Sequence, residues 1–412
     1  METTHDKSNR LRSKNLVICL DGTANNIRVN GNTNVVRALR AFSENRDEEH
    51  DPGCTGQTQA GGADCCQGYR PRQLLYYDPG VGTFSSSKVW TPIGRLMSRL
   101  SGLAFGTGLK TNLAEAYTFL MNNWNPGDRI YIFGFSRGAF TARALAGLLH
   151  KIGIPRRSSE NLVEYAIREY ARRKKVWDDA DTEEARSFRV TVCRLADPKN
   201  DTVVGAGEAG ALTGDQIDEM FSVPVAFIGL WDTVSAPGIF GRSMLFDDSD
   251  DLPNVEQGRH AIAIDEWRRP YKEQPVGKKS SVEELWFAGV HSDVGGSSSK
   301  GSGLGNITLM WVLRGAIQAG IVLRKNSIAG GLPEVMNEMA GEDCNKNSWV
   351  WRLLIPVRRT PAEGTGRLHC SVSARIALRP KDRAARRLEH LPVVADDGWF
   401  EVPVEKRDSA YA

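Results

Sequence analysis

The stretch that decides the fold is DRIYIFGFSRGAFTARALAGLLHKIG, residues 128–153. A run of large apolar residues ends in Gly134-Phe135-Ser136-Arg137-Gly138, and a helical pattern begins at once. A strand that stops at a serine between two glycines builds a core poorly and exposes a hydroxyl well. The G-x-S-x-G spacing fits a sharp strand-to-helix turn that holds its serine in a strained backbone conformation. Bulky side chains two residues either side would collide, so Gly134 and Gly138 are the residue types such a turn requires. The pattern is short enough to arise by chance. The strand before it and the helix after it are the context that favours a nucleophile.

Outward from this turn, apolar runs alternate with helical patterns. NLVICLDGT (15–23) reads as a buried strand ending in a turn, and NTNVVRALRAF (32–42) as a helix opening at an Asn or Thr cap. QLLYYDPGVGT (73–83) is a strand that stops at a Pro-Gly turn, and TNLAEAYTFLMNNW (111–124) has helical spacing. VPVAFIGLWDTV (223–234) and SVEELWFAGVHSDVGG (281–296) are further strands with polar ends, and ITLMWVLRGAIQAGI (307–321) is a core helix. Strands that alternate with helices and are apolar on both faces predict a mostly parallel sheet covered on both sides. The expectation is one α/β-hydrolase domain over 1–412 with a loop insertion at 43–72, a cap-like insertion at 155–220 and a C-terminal tail at 357–412. Within 155–220, ENLVEYAIREYARRKK reads as a charged helix and FRVTVCRL as a short strand.

Net charge is +3, from 53 basic and 50 acidic residues, too balanced to imply a nucleic-acid partner. No apolar run approaches the ~18 residues of a membrane helix. The apolar run Leu16–Leu20 is too short for a signal-peptide core. The expectation is therefore a cytoplasmic protein, or one exported without a signal peptide. Cys19 reads as a buried thiol; Cys54, Cys65 and Cys66 share a Gly-rich loop with no His at zinc spacing, so no metal is expected. GLAFGTGLKT (102–111) resembles a phosphate loop, but no Gly directly precedes Lys110, and no strand precedes Gly106-Thr107-Gly108. No cofactor is expected.

A serine hydroxyl needs a base. Of the seven histidines, His5 and His50 lie in polar segments, His150 in the helix after the turn, His260 in a polar connection, and His369 and His390 near the C-terminus. Only His291 directly follows a core strand, on the side where Ser136 must lie. An acid should orient the imidazole. Asp232, Asp21 and Asp78 all stand at strand ends, so position alone does not choose among them. Chain order does: Ser136, Asp232, His291 follows the Ser…Asp…His order of α/β-hydrolases. Asp293, close to His291 in the chain, is the second choice or a brace for the loop. Oxyanion donors are expected from the Arg137 amide and from the turn at Gly22 and Thr23, with Asp21 holding that turn.

LDGTANN, NTNV, YYDPGVGT, AYTFLMNNWNPGDRIYIFGFSRGAFTAR, FIGLWDTV and FAGVHSDVGG occur in this order, and RLHCSVSARI follows near 367–376. Together they resemble the family of α/β-hydrolase-domain proteins that includes type VI secretion phospholipase effectors. The resemblance covers roughly 15–315. It implies a Ser-Asp-His triad of Ser136, Asp232 and His291, and lipid esters as a substrate class with phospholipase A activity in the effector branch. Transient contact with a membrane surface would follow. The competing expectations are a non-lipid esterase, thioesterase or amidase, and a catalytically silent binding protein of the same fold. The apolar stretch 89–105, with Trp90, Ile93, Leu96, Met97, Leu100, Leu103 and Phe105, is expected either to line an acyl pocket or act as a lid, or to pack in the core.

Overall fold

The computed structural model describes residues 13–22, 31–44, 72–80, 102–171, 179–197, 213–234, 250–297, 303–324, 343–344, 358–361, 366–380, 382 and 387–396. The loop 45–71 with its cysteines, the stretch 84–101 and Thr23 lie outside the described residues, as do the side chains of Leu103 and Phe105.

Ten strands are described: β1 (Lys14–Leu20), β2 (Arg72–Asp78), β3 (Arg129–Phe135), β4 (Ile154–Pro155), β5 (Cys193–Arg194), β6 (Phe227–Trp231), β7 (Gly258–Ala263), β8 (Val282–Phe287), β9 (Leu368–His369) and β10 (Val393–Val394). Eight of them form one sheet in the order β10-β9-β8-β7-β6-β3-β1-β2, and every neighbouring pair is parallel. β4 and β5 form a separate antiparallel pair. The stretch read as a tail therefore supplies β9 and β10 to the sheet.

Alternation along the strands sorts the side chains into two cores. Leu16, Ile18, Leu20, Ile130, Ile132, Ile228 and Leu230 face one side, where helices α2 (Gly102–Asn123) and α3 (Arg137–Lys151) cover them. Val17, Cys19, Tyr131, Phe133, Phe135, Phe227 and Trp231 face the other, beneath helices α1 (Asn34–Ala41) and α8 (Gly303–Gln318). A parallel sheet needs such cover on both faces, which is why its strands carry no polar stripe.

The insertion at 155–220 joins the first layer. Its helices α4 (Val163–Tyr170), α5 (Asp179–Val192) and α6 (Gly214–Phe221) send Val163, Ala166, Ile167, Tyr170, Ala185, Met220 and Phe221 into the core that α2 and α3 share. FRVTVCRL is a correction: it is helical through Val192, and only Cys193–Arg194 is extended. Its β-branched residues favour a strand only weakly, and packing overrides that preference. Helix α2 begins at Gly102, ahead of the expected start at Thr111, so Gly106-Thr107-Gly108 lies inside a helix and not in a phosphate loop.

Strand register positions the site. Leu20 pairs with Gly134, Phe135 with Trp231, Trp231 with Ala261, and Ala263 with Phe287. The strands thus end nearly level, and Asp21, Ser136, Asp232 and the loop to His291 leave the sheet along one edge. In an open parallel sheet this carboxyl-terminal edge is where ligands bind.

Candidate active site

Ser136 sits between β3 and α3 with φ 59° and ψ −120°. That backbone is strained for any residue with a Cβ. Its neighbours must be small: a Cβ on Gly134 would stand 2.6 Å from the Ala139 Cα, and one on Gly138 would stand 2.2 Å from the Leu20 carbonyl oxygen. The Ser136 amide donates to the Trp231 carbonyl at 2.9 Å, which ties the turn to the end of β6. Ser136 is the residue before the first turn of α3, where N–H groups lack helical partners, and Arg137 opens that turn.

His291 opens the one-turn helix α7 (His291–Val294) after β8. Its Nε2 lies 2.9 Å from Ser136 Oγ and its Nδ1 lies 2.6 Å from Asp232 Oδ2. An ionised carboxylate only accepts, so Nδ1 carries the proton and Nε2 is left to accept from the serine hydroxyl. The ring stacks on Phe135 at 4.7 Å between centroids and meets Tyr271 at 4.9 Å on a tilt. Burial first, with the nearby Arg268 cation adding to it, lowers the His291 pKa below its ordinary value against the opposing pull of Asp232 and Glu266.

Asp232 follows β6 with φ 43° and is fully buried. Its Oδ1 accepts from the Ala263 amide at 2.8 Å and from Arg359 Nη1 at 2.6 Å, while Arg359 Nη2 reaches Oδ2 at 3.0 Å. Burial alone would push its pKa up. The Arg359 guanidinium first, and His291 next, more than reverse this and hold the carboxyl well below the usual range.

The remaining expected residues brace loops. Asp293 Oδ2 accepts from the Val290 amide at 3.0 Å, which shapes the His291 loop. Asp21 Oδ2 accepts from Thr33 Oγ1 at 2.7 Å and from the Tyr77 hydroxyl at 3.1 Å. Asp21 Oδ1 takes the Gly22 amide at 2.7 Å, so that amide is engaged by its own turn instead of being presented as an oxyanion donor. Asp78 accepts from Gly80 and Asn112 at the end of β2, next to that turn, and has no contact with the histidine among its described bonds.

Several residues of the site carry no role in the sequence reading. Arg359 is one. Glu266 is another: buried after β7, it accepts from the His291 amide at 3.3 Å and holds Arg268 through two bonds of 2.7 and 2.9 Å. Arg268 in turn lies 3.9 Å above the Tyr271 ring. Asn34 donates to Val294 O, Gly305 O and Thr308 Oγ1, each at 3.0 Å, so α1 anchors the His291 loop to α8. The NTNV motif held the signal for Asn34, since a buried asparagine at a helix start needs partners. His260 is a correction: it lies within β7, fully buried, and not in a polar connection.

Among the described residues no group of His, Cys, Asp and Glu is arranged to hold a metal, and no helix is long and apolar enough to cross a membrane. Cys19, Cys193, Cys344 and Cys370 are free thiols.

A parallel sheet covered on both faces, with a strained serine on a strand-to-helix turn at its carboxyl edge, defines an α/β-hydrolase-type domain. The sequence matches the family described as "T6SS, Phospholipase effector Tle1-like, catalytic domain" over residues 14–315, and the chain belongs to that family. It is 30% identical over 264 residues to the uncharacterized protein YEL023C of Saccharomyces cerevisiae, covering 63% of this chain and 32% of that protein. Among solved structures it is similar to an uncharacterized protein from Pseudomonas aeruginosa (TM-score 0.39, 18% identity, 78% of this chain and 48% of that one). It is also similar to the Tle1 effector bound to the VgrG spike of the type 6 secretion system (TM-score 0.31, 19% identity, 69% and 51%). The chain thus spans about a third of the yeast relative and about half of each solved structure.

Proposed function

We propose that the protein is a serine hydrolase of lipid esters, of the phospholipase A type. Ser136 Oγ attacks the acyl carbonyl while His291 Nε2 takes its proton, and His291 then gives that proton to the departing alcohol. Asp232 keeps the imidazole in the required tautomer and stabilises its charged form. Water, activated by the same histidine, releases the acyl group from the serine. The Arg137 amide is one oxyanion donor. With the Gly22 amide turned to Asp21, we assign the second to Thr23.

The observation that supports this reading is the unbroken chain from Ser136 to His291 to Asp232, at 2.9 and 2.6 Å, on a strained turn. The lipid substrate rests on membership of the Tle1-like phospholipase effector family. No step calls for a metal or cofactor. A lipid substrate brings transient contact with a membrane surface, and export as an effector would use a route that needs no signal peptide.

The test is a fluorophosphonate label followed by a substrate panel. The label is expected on Ser136. Turnover of p-nitrophenyl esters is expected to rise with acyl length, as each buried CH₂ contributes about 0.8 kcal/mol, and phospholipid vesicles are expected to be cleaved. Preference for acetyl esters with intact vesicles would leave a non-lipid esterase, thioesterase or amidase. No label at Ser136 would leave a binding protein built on this fold.

A further inference from the structure

A triad carboxylate commonly has an imidazole on one oxygen and neutral amides around the other. Here Asp232 also meets a permanent cation. Arg359 lies beyond residue 315, where the family match ends, and arrives from a part of the chain remote from β6. Its two Nη atoms fork across both carboxylate oxygens at 2.6 and 3.0 Å. The side chains of Arg359 and Asp232 are 2% and 0% exposed. The same guanidinium is fixed by the carbonyls of Ala263, at 3.0 Å, and Tyr271, and its Nε stands 3.5 Å from Glu273. Bonds to two carbonyls, with the Glu273 carboxylate in ion-pair range of Nε, leave the fork little freedom, so it acts as a jig for the Asp232 carboxylate.

We propose that Arg359 is a positioning residue for the hydrolytic reaction, holding Asp232 against His291. The proposal rests on the reading of Ser136, His291 and Asp232 as the reacting chain. Two effects of opposite kind follow from one side chain. The fork fixes where the carboxylate oxygens lie, which sets the tilt of His291 toward Ser136. The positive charge beside Asp232 opposes formation of a second cation on the ring. Among the described residues, the other charged and titratable groups around His291 are Glu266 and Arg268 after β7, Tyr271 against the ring, Glu273 behind Arg359, Asp293 on α7 itself and Arg137 after the serine. Glu266 is already bound to Arg268, and Asp293 accepts from the Val290 amide. Arg359 is thus the cation held directly on the carboxylate that faces Nδ1.

The experiment compares the full chain with Arg359→Met, Arg359→Lys, Asp232→Asn and the Asp232→Asn/Arg359→Met pair. Fluorophosphonate labelling of wild type at Ser136 comes first; absence of label there sinks the reacting-chain reading, whatever Arg359 does. With the label in place, kcat and KM are measured across pH on one soluble ester, normalised to labelled sites. Arg359→Met is expected to lose on the order of 10²-fold in kcat with little change in KM. The acid limb of its kcat/KM profile is expected to move up by about one pH unit. Arg359→Lys, which keeps the charge and loses the fork, should keep the wild-type limb while kcat falls about tenfold. In the Asp232→Asn background, Arg359→Met should cost almost nothing further. An unmoved acid limb in folded Arg359→Met would overturn the proposal, as would equal losses in the two backgrounds. Should Arg359→Met fail to fold, wild-type kcat in Arg359→Lys would overturn it.

Discussion

Two buried histidines stand at neighbouring strands of this sheet, and each has a carboxylate on Nδ1. His291 has Asp232 at 2.6 Å; His260 has Glu284 at 2.9 Å. The difference lies at the other nitrogen. His291 Nε2 faces the Ser136 hydroxyl at 2.9 Å, while His260 Nε2 accepts the Thr233 amide at 3.2 Å. An amide N–H donates a hydrogen bond but is far too weak an acid to surrender its proton to an imidazole, so His260 is a structural ring with both nitrogens committed. The two systems also meet in one peptide unit. Asp232 serves His291, and the next residue, Thr233, is pinned by His260. A carboxylate-paired histidine is therefore no mark of a base by itself; what Nε2 touches decides.

The largest effects should separate the two rings. Ser136→Ala and His291→Gln should each lose on the order of 10⁶ in kcat, if a serine and its base act as a unit. His260→Leu should keep kcat within about tenfold once folded, because His260 acts on the Thr233 backbone and not on the reacting atoms. Its cost should appear in the denaturant midpoint, at roughly 1–3 kcal/mol for the buried amide left without an acceptor. Equal collapse of kcat in His260→Leu and His291→Gln, both shown folded, would erase the distinction.

The acids come next. Asp232→Asn should leave His291 in the wrong tautomer and cost about 10⁴ in kcat. Glu284→Gln should cost far less, since His260 Nδ1 and the Val276 amide both meet the one oxygen Oε2, and a glutamine oxygen in its place still accepts from both. Asp293→Asn, read in the sequence as the second choice for the acid, should fall between them through its hold on Val290. Near-wild-type turnover in Asp232→Asn together with loss in Asp293→Asn would exchange the two roles.

What the sequence made legible follows the same divide. The turn at Ser136 could be read because an apolar run, two glycines at fixed spacing and a helix are local signals. His291 was picked out because it directly follows a core strand, and Asp232 because the Ser…Asp…His chain order separated it from Asp21 and Asp78, which stand at strand ends too. His260 misled, since GRH begins with polar residues although the strand GRHAIA buries its histidine; only pairing with β6 and β8 shows why. Arg359 left no local trace. Its burial depends on a carboxylate far away in the chain, and nothing in VRRTPAE marks one arginine from the next. The turn at Asp21-Gly22 was legible as a turn, but the direction of the Gly22 amide was not, because a side-chain hydrogen bond sets it. Helix α2 was underestimated for a related reason. Its glycines weaken helix propensity, a weak local preference that tertiary context overrides.

The smallest effect concerns pH, and its sign follows from the burial of His291. Only the neutral imidazole can take the Ser136 proton, so kcat/KM rises with pH as His291 loses its own proton. An unperturbed histidine is half neutral near pH ~6.5. Burial disfavours the charged ring of His291 and lowers its pKa, despite the pull of Asp232. At pH ~6.5 more than half of the molecules should then hold a neutral His291, and kcat/KM should exceed half its plateau. The change against an unperturbed ring is less than about twofold at that pH and grows as the pH falls further. A pH profile on a soluble ester, free of any change in vesicle surface charge, measures it directly. A limb centred above pH ~7 would mean that Asp232 prevails over burial at His291.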